Sequence, residues 1–340
     1  MYAYDPANRK LDSLPLASLP KAVREQFESS NMLATQIDDY LYVVGGNGET
    51  DPGEGDSTFV THPTLSRGKV PDAIEAITTQ NLDRLGGGTI LFVEDDFMRS
   101  TGGELFGLED TRFYIVLGHN FEGAYSSNDF SQTYLDSIRI FRLIEDETTL
   151  EIDPNSIQYL SDNQPPATSQ FHRRDLVVVP RIQVRGEVVG LAIYGGVFTP
   201  TEDGMPYLNP IYINGGINPS FEVDENYKQP SNVYSAANVR MYSKEFDLNY
   251  TTIIGGMGDK SDVNAADFTK SILTIIRDNQ KNVTRDMTNA SSLDAFVGSE
   301  ALFIPKGGVP MYRENFQIID FDSLPKGSTV LGYMYGGILS

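Results

Sequence analysis

The segment Gly190-Leu-Ala-Ile-Tyr-Gly-Gly196 is a short apolar run closed by two glycines, and it is the clearest indication of the fold of this chain. Similar runs recur at intervals of roughly 60 to 80 residues, which is typical of repeat architectures. They are Leu41–Gly46, Phe113–Gly118, Thr251–Gly256 and Val330–Gly337. Each repeat should therefore be one supersecondary module that buries its faces only against its neighbours.

A second strand-like run precedes each glycine-terminated strand, and short polar turns mostly join the two into hairpins. These first strands, named a, are Asn31–Ile37, Thr101–Gly107, Asp175–Arg181, Ala237–Tyr242 and Glu300–Pro305. The glycine-terminated strands are named b. Alternating runs such as Asp136–Leu143 and Lys270–Arg277 fit a strand c, and Thr89–Glu94 fits a strand d.

Helical periodicity is poor, and Lys21–Ser29 is the only short helical candidate. The pattern therefore predicts an all-β chain, a β-propeller of four-stranded blades.

The two ends of the sequence complement each other. The C-terminal part, Glu300–Gly337, supplies strands a and b with no c or d after them, whereas the N-terminal part resembles c and d alone. Pairing the ends would complete a blade and remove exposed sheet edges. We therefore expect one domain over residues 1–340 with five blades, the last shared between residues 1–20 and 298–340. The segment Glu314–Leu324 fits no a–b turn, so six blades are the alternative.

Charge and composition exclude several classes of partner. Lys and Arg number 26 against 47 Asp and Glu, a net charge of -21, which argues against nucleic acid and anionic membranes as partners. No apolar run approaches the ~20 residues that span a bilayer, so membrane insertion is not expected. The chain has no cysteine, which excludes disulfides, thiolate metal sites and cysteine nucleophiles.

The N-terminal residues lack the basic and apolar regions of a signal peptide. Because the sequence starts in the middle of a repeat, we expect a leader to have been removed and the protein to be extracytoplasmic, that is, secreted or periplasmic. A cytoplasmic location stays open, and the sequence does not indicate an oligomeric state.

Two sets of loops should share one face of the predicted disc. Strands alternate in direction within an antiparallel blade, so the b–c loops and the d–a loops emerge on the same side. The b–c loops are long and span residues 47–69, 119–135, 197–210 and 257–267. The d–a loops contain Phe97–Ser100, Phe171–Arg174, Asn232–Ser235 and Gly298–Glu300. Long loops on a rigid scaffold are usual places for binding.

This loop face carries the candidate ligand-binding residues. Arginine offers planar bidentate donors, so a funnel with these side chains suits a polyhydroxylated or carboxylated small molecule. The candidates are Arg99, His119, Asn120, His172, Arg173, Arg174, Tyr234 and Glu300. The alternative is that the arginines tie neighbouring blades together through carboxylates.

Two further groups of residues on the same face have side chains that could bind a metal ion. The histidines His62, His119 and His172 could bind a metal or transfer protons if they converged, but none has close ligand spacing to another. The loop Asn47–Asp56 places Glu49, Asp51, Glu54 and Asp56 among glycines, which suits Ca²⁺ but is equally typical of a solvated loop. No cofactor is therefore expected, with Ca²⁺ as the one alternative.

The residues resemble the kelch-repeat family of β-propellers. The resemblance rests on the paired glycines that close strand b, the aromatic and aliphatic residues around them, and the segment Tyr4–Pro15. Leu11 stands where the family has tryptophan, and the second repeat keeps only Gly118 of its glycine pair. Copper radical oxidases related to this family need a cysteine joined to tyrosine, which this chain lacks.

Three functional hypotheses follow, and none includes a catalytic constellation that the sequence itself shows. The first is a non-enzymatic propeller that recognises a glycan or a protein segment through its b–c and d–a loops. The second is implied by the resemblance: a sugar-acid epimerase or mutarotase similar to the kelch-type sialic acid epimerases. There, Arg99 or Arg174 would hold a carboxylate, while Glu300 or a histidine would move protons. The third is a structural propeller of a larger extracytoplasmic protein.

Overall fold

The computed structural model describes residues 1–5, 7–17, 19–50, 58–81, 90–124, 129–183, 188–200, 205–258, 267–288 and 293–338. The chain divides into two compact units. Unit 1 comprises Met1–Gly107 and Thr111–Tyr159, and unit 2 comprises Leu108–Asp110 and Leu160–Ser340. The expectation of one closed domain over residues 1–340 stays a prediction.

The strands of the first part of the chain are β1 (Tyr2–Asp5), β2 (Lys10–Ser13), β3 (Leu33–Ile37), β4 (Tyr40–Val44), β5 (Asn47–Thr50), β6 (Thr58–Thr61), β7 (Thr64–Lys69), β8 (Ile90–Glu94), β9 (Glu104–Gly107), β10 (Phe113–Val116), β11 (His119–Ala124), β12 (Asp129–Tyr134), β13 (Ile138–Phe141), β14 (Leu143–Glu145), β15 (Leu150–Ile152) and β16 (Gln158–Leu160). Two helices, α1 (Lys21–Phe27) and α2 (Val70–Thr79), lie among them. The strands of the second part are β17 (Arg174–Ile182), β18 (Val189–Val197), β19 (Ile211–Asn214), β20 (Ser220–Val223), β21 (Ala237–Ser243), β22 (Leu248–Ile254), β23 (Ile272–Asp278), β24 (Val283–Thr288), β25 (Ala301–Pro305), β26 (Met311–Arg313), β27 (Ile318–Asp320) and β28 (Gly332–Gly336).

The first two repeats of unit 1 each form a four-stranded antiparallel sheet. The first has the order β3-β4-β7-β8, and the second has the order β9-β10-β13-β16. Alternate residues of these strands point to one face, and their apolar side chains build a shared buried cluster that includes Leu33, Val44, Leu65, Ile115 and Phe141. Burial of this apolar surface is the main stabilising contribution of the pair.

The b–c segments of these two repeats form an additional sheet. Strands β5 and β6 form a hairpin within the first segment, and β11 and β12 form a hairpin within the second. The hairpins join through β6 and β11, where Val60 lies opposite Glu122, into the order β12-β11-β6-β5. Loops were predicted over residues 47–69 and 119–135. That prediction is wrong for the residues of β5, β6, β11 and β12, and in the first segment β7 already begins at Thr64.

Helix α1 confirms the helical prediction, whereas α2 was not predicted. Pro71 stands in the first turn of α2, where its missing N–H costs no helical hydrogen bond. Ala76 and Ile77 of α2 are buried in a cluster with Val23 of α1 and Leu19. The helix is short, and tertiary packing of this face supplies most of its stability.

Unit 2 holds the third and fourth repeats. The third forms the antiparallel sheet β17-β18-β19-β20, with apolar strands β17 and β18 buried along almost their whole length. The fourth forms β21-β22-β23-β24 and is extended at its edge by β27 and β26. Strand β27 pairs parallel with β21, so the segment Glu314–Leu324 contributes to the sheet of the fourth repeat.

Among the described residues, the fifth repeat contributes one antiparallel pair of strands. Strands β25 and β28 form a two-stranded sheet, and β1 and β2 form another. The prediction of an all-β chain built on four-stranded antiparallel sheets is confirmed. The number of blades and the pairing of the chain ends stay predictions.

The glycine pairs that end strand b have a steric reason. A Cβ atom at Gly45 would lie 1.9 Å from the carbonyl oxygen of Ser100, and one at Gly255 would lie 2.3 Å from that of Val297. Ser100 and Val297 belong to the d–a loops of the following repeats. The next glycine then donates its N–H to the same carbonyl, from Gly46 to Ser100 at 3.0 Å. Strand b therefore lets the d–a loop of the next repeat approach its backbone directly.

Candidate binding site

The start of strand a in the third repeat and the d–a loops of the fourth and fifth repeats bring four polar side chains together in unit 2. Arg174 and Asp175 open β17, Tyr234 lies shortly before β21, and Glu300 lies directly before β25. Three of these four were predicted site residues. The convergence follows from the repeat, because every strand a begins on the same side of its sheet.

Asp175 is the centre of this cluster. Its side chain is only 5% exposed, and its Oδ2 accepts hydrogen bonds from Nη1 of Arg174 and, at 3.0 Å, from the hydroxyl of Tyr234. Burial raises the pKa of the Asp175 carboxyl, while the charge of Arg174 and the bond from Tyr234 act to lower it. Burial and the adjacent Asp175 raise the pKa of the Tyr234 phenol, which therefore stays protonated.

Glu300 lies at the exposed side of the cluster. Its backbone N–H donates to the carbonyl of Ser235 at 3.2 Å, which ties the d–a loop of the fifth repeat to that of the fourth. Partial burial, followed by the negative charge of Asp175, raises the pKa of the Glu300 carboxyl. Within the described part of the chain, no side chain donates a hydrogen bond to this carboxyl, so it is open to a ligand.

The backbone around these side chains is left-handed. The φ angles are +51° at Asp175, +51° at Val233, +37° at Ser235 and +67° at Glu300. A left-handed conformation costs a residue with a side chain roughly 1–2 kcal/mol, and such positions concentrate at functional sites. Strain at three neighbouring d–a junctions is consistent with a site whose side chains are placed for function.

An aromatic ring flanks the polar cluster. Phe198 is 47% exposed, and its ring centroid lies 5.4 Å from the guanidinium carbon of Arg174. An exposed ring of this size beside a buried ion pair offers apolar contact area next to directional donors and acceptors. The site therefore combines one apolar face with hydrogen-bond donors and acceptors.

Arg173 lies next to this cluster but faces the interior. It is fully buried, and its guanidinium donates to the carbonyl oxygens of Gly195 at 2.9 Å and Asn209 at 2.9 Å. Gln170 accepts two further hydrogen bonds from this guanidinium, at 2.6 Å through its carbonyl oxygen and at 2.7 Å through its side-chain oxygen. Burial lowers the pKa of Arg173 to about 9. These contacts hold the third repeat together.

His172 precedes Arg173 and is half-buried. It belongs to unit 2, like Arg174, Tyr234 and Glu300.

The other predicted residues, Arg99, His119 and Asn120, belong to unit 1. Arg99 donates to the carboxylate of Asp96 at 2.8 Å and to the carbonyl of Thr61, which ties a d–a loop to the additional sheet. His119 is buried between aromatic rings, with its ring centroid 5.8 Å from that of Tyr134. The carboxylate that Arg99 contacts lies in its own loop, and its contact to the preceding repeat is to a carbonyl oxygen.

Two other buried polar atoms belong to Asn120 of β11 and to His62, which directly follows β6. The Nε2 of His62 and the Oδ1 of Asn120 have no hydrogen-bond partner among the described residues. Burial lowers the pKa of His62, with the charge of Glu25 acting in the opposite direction. The imidazole is thus neutral near pH 7.

The described residues contain no group of three or more His, Asp or Glu side chains that could hold a metal ion. Of the predicted calcium loop, Asp51, Glu54 and Asp56 lie outside the described residues, and only Glu49 of β5 lies within them. Neither of the two described helices is long and apolar enough to cross a membrane.

Sequence reasoning missed Asp175 and Phe198. Asp175 was taken as the first residue of an apolar strand, and Phe198 as part of a long loop. Two signals were available: an acidic residue directly after two arginines at the start of strand a, and an aromatic residue two positions after a glycine pair.

The comparisons with known proteins give weak likenesses of the fold. No protein-family model and no curated protein sequence matches this chain. Among solved structures, it is similar to YjhT, with 12% identity, a TM-score of 0.46, and coverage of 82% of this chain and 75% of that one. It is also similar to a chain of the cryo-EM structure of RAG in complex with one melted and one unmelted RSS, with 12% identity, a TM-score of 0.43, and coverage of 82% and 71%.

A third likeness is to the glycoside hydrolase, family 43 YxiA protein from Bacillus licheniformis. It has 12% identity, a TM-score of 0.32, and coverage of 91% of this chain and 60% of that one. All three TM-scores lie below 0.5, so the function proposed below rests on this chain's own side chains.

Proposed function

We propose that the cluster of Arg174, Asp175, Tyr234 and Glu300, with Phe198 beside it, binds a glycan. The observation that carries this proposal is the convergence of an exposed ring, an arginine and an open carboxyl from neighbouring loops of one unit. A sugar ring presents an apolar C–H face and a rim of hydroxyl groups. The site offers an apolar surface and fixed donors and acceptors to match both.

The charge of the site favours a neutral polyhydroxylated ligand. Arg174 is already paired with Asp175, so its positive charge is compensated and it does not need a ligand carboxylate. Its planar guanidinium is held by this pair and lies over the ring of Phe198. Glu300 would accept hydrogen bonds from ligand hydroxyls, which suits its lack of a side-chain donor among the described residues.

The test is a glycan-array screen of the wild-type protein with three variants, Phe198→Ala, Glu300→Gln and Arg174→Ala. Arg285→Ala is the matched control, because Arg285 is an exposed arginine of the same unit on β24. Binding that all three site variants lose and the control keeps supports the proposal. A hit that survives all three variants, or the capture of peptides and no glycans, refutes it and favours the protein-segment hypothesis.

A second candidate function is proton transfer on a sugar. It is favoured by the two neighbouring carboxyls, Asp175 and Glu300, whose pKa values are both raised, since general acids and bases work best with pKa values near the operating pH. An epimerase or mutarotase would show turnover of a sugar hit, followed by NMR of its anomers, with a pH–rate profile that Glu300→Gln abolishes. Binding without turnover would leave the site as a binding module.

A further inference from the structure

A polar cavity lies at the other end of the third and fourth repeats. It has a volume of about 370 Å³ and is lined by Arg181, Asn214, Glu222, Arg277 and Asn282, among others. Arg181 stands seven residues along β17 from Arg174, which corresponds to roughly 23 Å at about 3.3 Å per residue of strand. The cavity is therefore separate from the site described above, and its volume falls within the roughly 300–1,000 Å³ of small-molecule sites.

Two arginines of this cavity differ in how their charge is compensated. Both contact the ring of Tyr212, Arg277 at 4.2 Å and Arg181 at 5.2 Å from the centroid. Arg277 forms ion pairs with Glu222 at 3.1 Å and with Asp224 at 3.2 Å. Arg181 has no carboxylate within ion-pair distance among the described residues.

Arg181 is buried and only partly bonded. It is 8% exposed, its Nε donates to the carbonyl of Leu191 at 3.3 Å, and its Nη2 donates to Oδ1 of Asn214 at 2.6 Å. A guanidinium has five N–H donors. Within the described residues, which exclude 184–187, the Nη1 group has no acceptor. Burial lowers the pKa of Arg181 to about 10, so the side chain is still charged at neutral pH.

A buried charge without a partner is costly, and a ligand anion would remove that cost. We propose that this cavity binds a small hydroxycarboxylic acid, whose carboxylate pairs with Nη1 and Nη2 of Arg181. The amide side chains of Asn214 and Asn282 and the carboxylate of Glu222 supply partners for the ligand hydroxyls. A planar carboxylate matches the guanidinium fork, whereas Glu222 would repel a doubly charged phosphate.

Isothermal titration calorimetry at constant ionic strength and neutral pH tests this, with sodium gluconate, lactate and glucuronate as probes and inorganic phosphate beside them. Arg181→Met should weaken binding of the best carboxylate at least 10-fold. Glu222→Gln should tighten it several-fold, because a negative charge at the cavity is removed. Since a misfolded variant would not bind more tightly, the opposite signs separate a site effect from unfolding.

Arg285→Ala, outside the cavity lining, is the control and should bind as the wild type does. The proposal is overturned if none of the three carboxylates binds, if Arg181→Met binds as tightly as the wild type, or if phosphate binds more tightly than every carboxylate. The variants of Phe198 and Glu300 test the glycan site alone, so failure of either proposal leaves the other intact.

Discussion

The hydroxyl of Tyr234 donates a 3.0 Å hydrogen bond to Oδ2 of Asp175, and this bond joins the d–a loop of the fourth repeat to strand β17 of the third. Asp175 comes directly before Leu176, which lies opposite Gly195 of the glycine pair that ends β18. This single hydrogen bond thus connects the third and fourth repeats through a carboxyl group of the candidate site.

Replacing Tyr234 by Phe should lower the free energy of unfolding by about 1 kcal/mol, the usual net contribution of such a hydrogen bond. The buried carboxyl of Asp175 would then keep only its bond from Arg174. Urea denaturation measures the change. Tyr333→Phe is the control, because Tyr333 is 60% exposed on β28. Equal stability of the two variants would contradict a structural role for the Tyr234 bond.

Replacing Glu300 by Gly should leave the free energy of unfolding unchanged or raise it by up to about 1 kcal/mol, while glycan binding falls. Glycine relieves the strain of φ +67°, which roughly offsets the ~0.5–1 kcal/mol of additional backbone entropy that a glycine loses on folding. Glu151→Gly on β15, whose φ is not positive, is the matched control and should be destabilised. A comparable loss in both variants would show that Glu300 is not strained.

The sequence placed Arg174, Tyr234 and Glu300 on one face because terminal glycines, paired in all repeats but the second, mark strand b. Each strand a must then begin on the same side. Asp175 was not predicted because the direction of its side chain depends on a left-handed φ at the start of β17. The periodicity of the sequence does not reveal such a backbone conformation. The sheet that joins β6 to β11 was also not predicted. In its register, Val60 lies opposite Glu122. These residues belong to segments about 60 residues apart in sequence, and only the tertiary structure brings the segments together.

A change of pH should alter the contributions of Asp175 and Asp278 to the free energy of unfolding in opposite directions. Burial raises the pKa of Asp175 in the fold, so its contribution to stability is full below the unfolded pKa of about 4 and is lost as the pH rises through the folded value. Wild-type protein should therefore lose stability relative to Asp175→Asn as the pH rises above about 4. The measurement is the free energy of unfolding of both proteins at pH 4 and at several higher pH values.

Asp278 serves as the internal control. Its pKa is lowered, chiefly by the backbone N–H of Lys281, so its contribution is present above about pH 4 and is lost as the pH falls. The wild-type protein should lose stability relative to Asp278→Asn on acidification below that value. If both stability differences changed with pH in the same direction, burial would not be the dominant effect on the pKa of Asp175, or hydrogen bonding would not be the dominant effect on that of Asp278.

The glycines that end strand b have a steric role and a conformational role, and two substitutions can separate these roles. Gly255→Ala adds a Cβ atom 2.3 Å from the carbonyl oxygen of Val297 at φ +77°, so strain and overpacking should together lower the free energy of unfolding by about 2–4 kcal/mol. Gly216→Ala has a similar left-handed φ of +103° but no atom within 4 Å of the new Cβ, so only the strain of about 1–2 kcal/mol remains. Guanidinium denaturation of both variants measures the difference. If Gly255→Ala is destabilised no more than Gly216→Ala, strand b does not need glycine to admit the next d–a loop, and the recurrence of the pair has another cause.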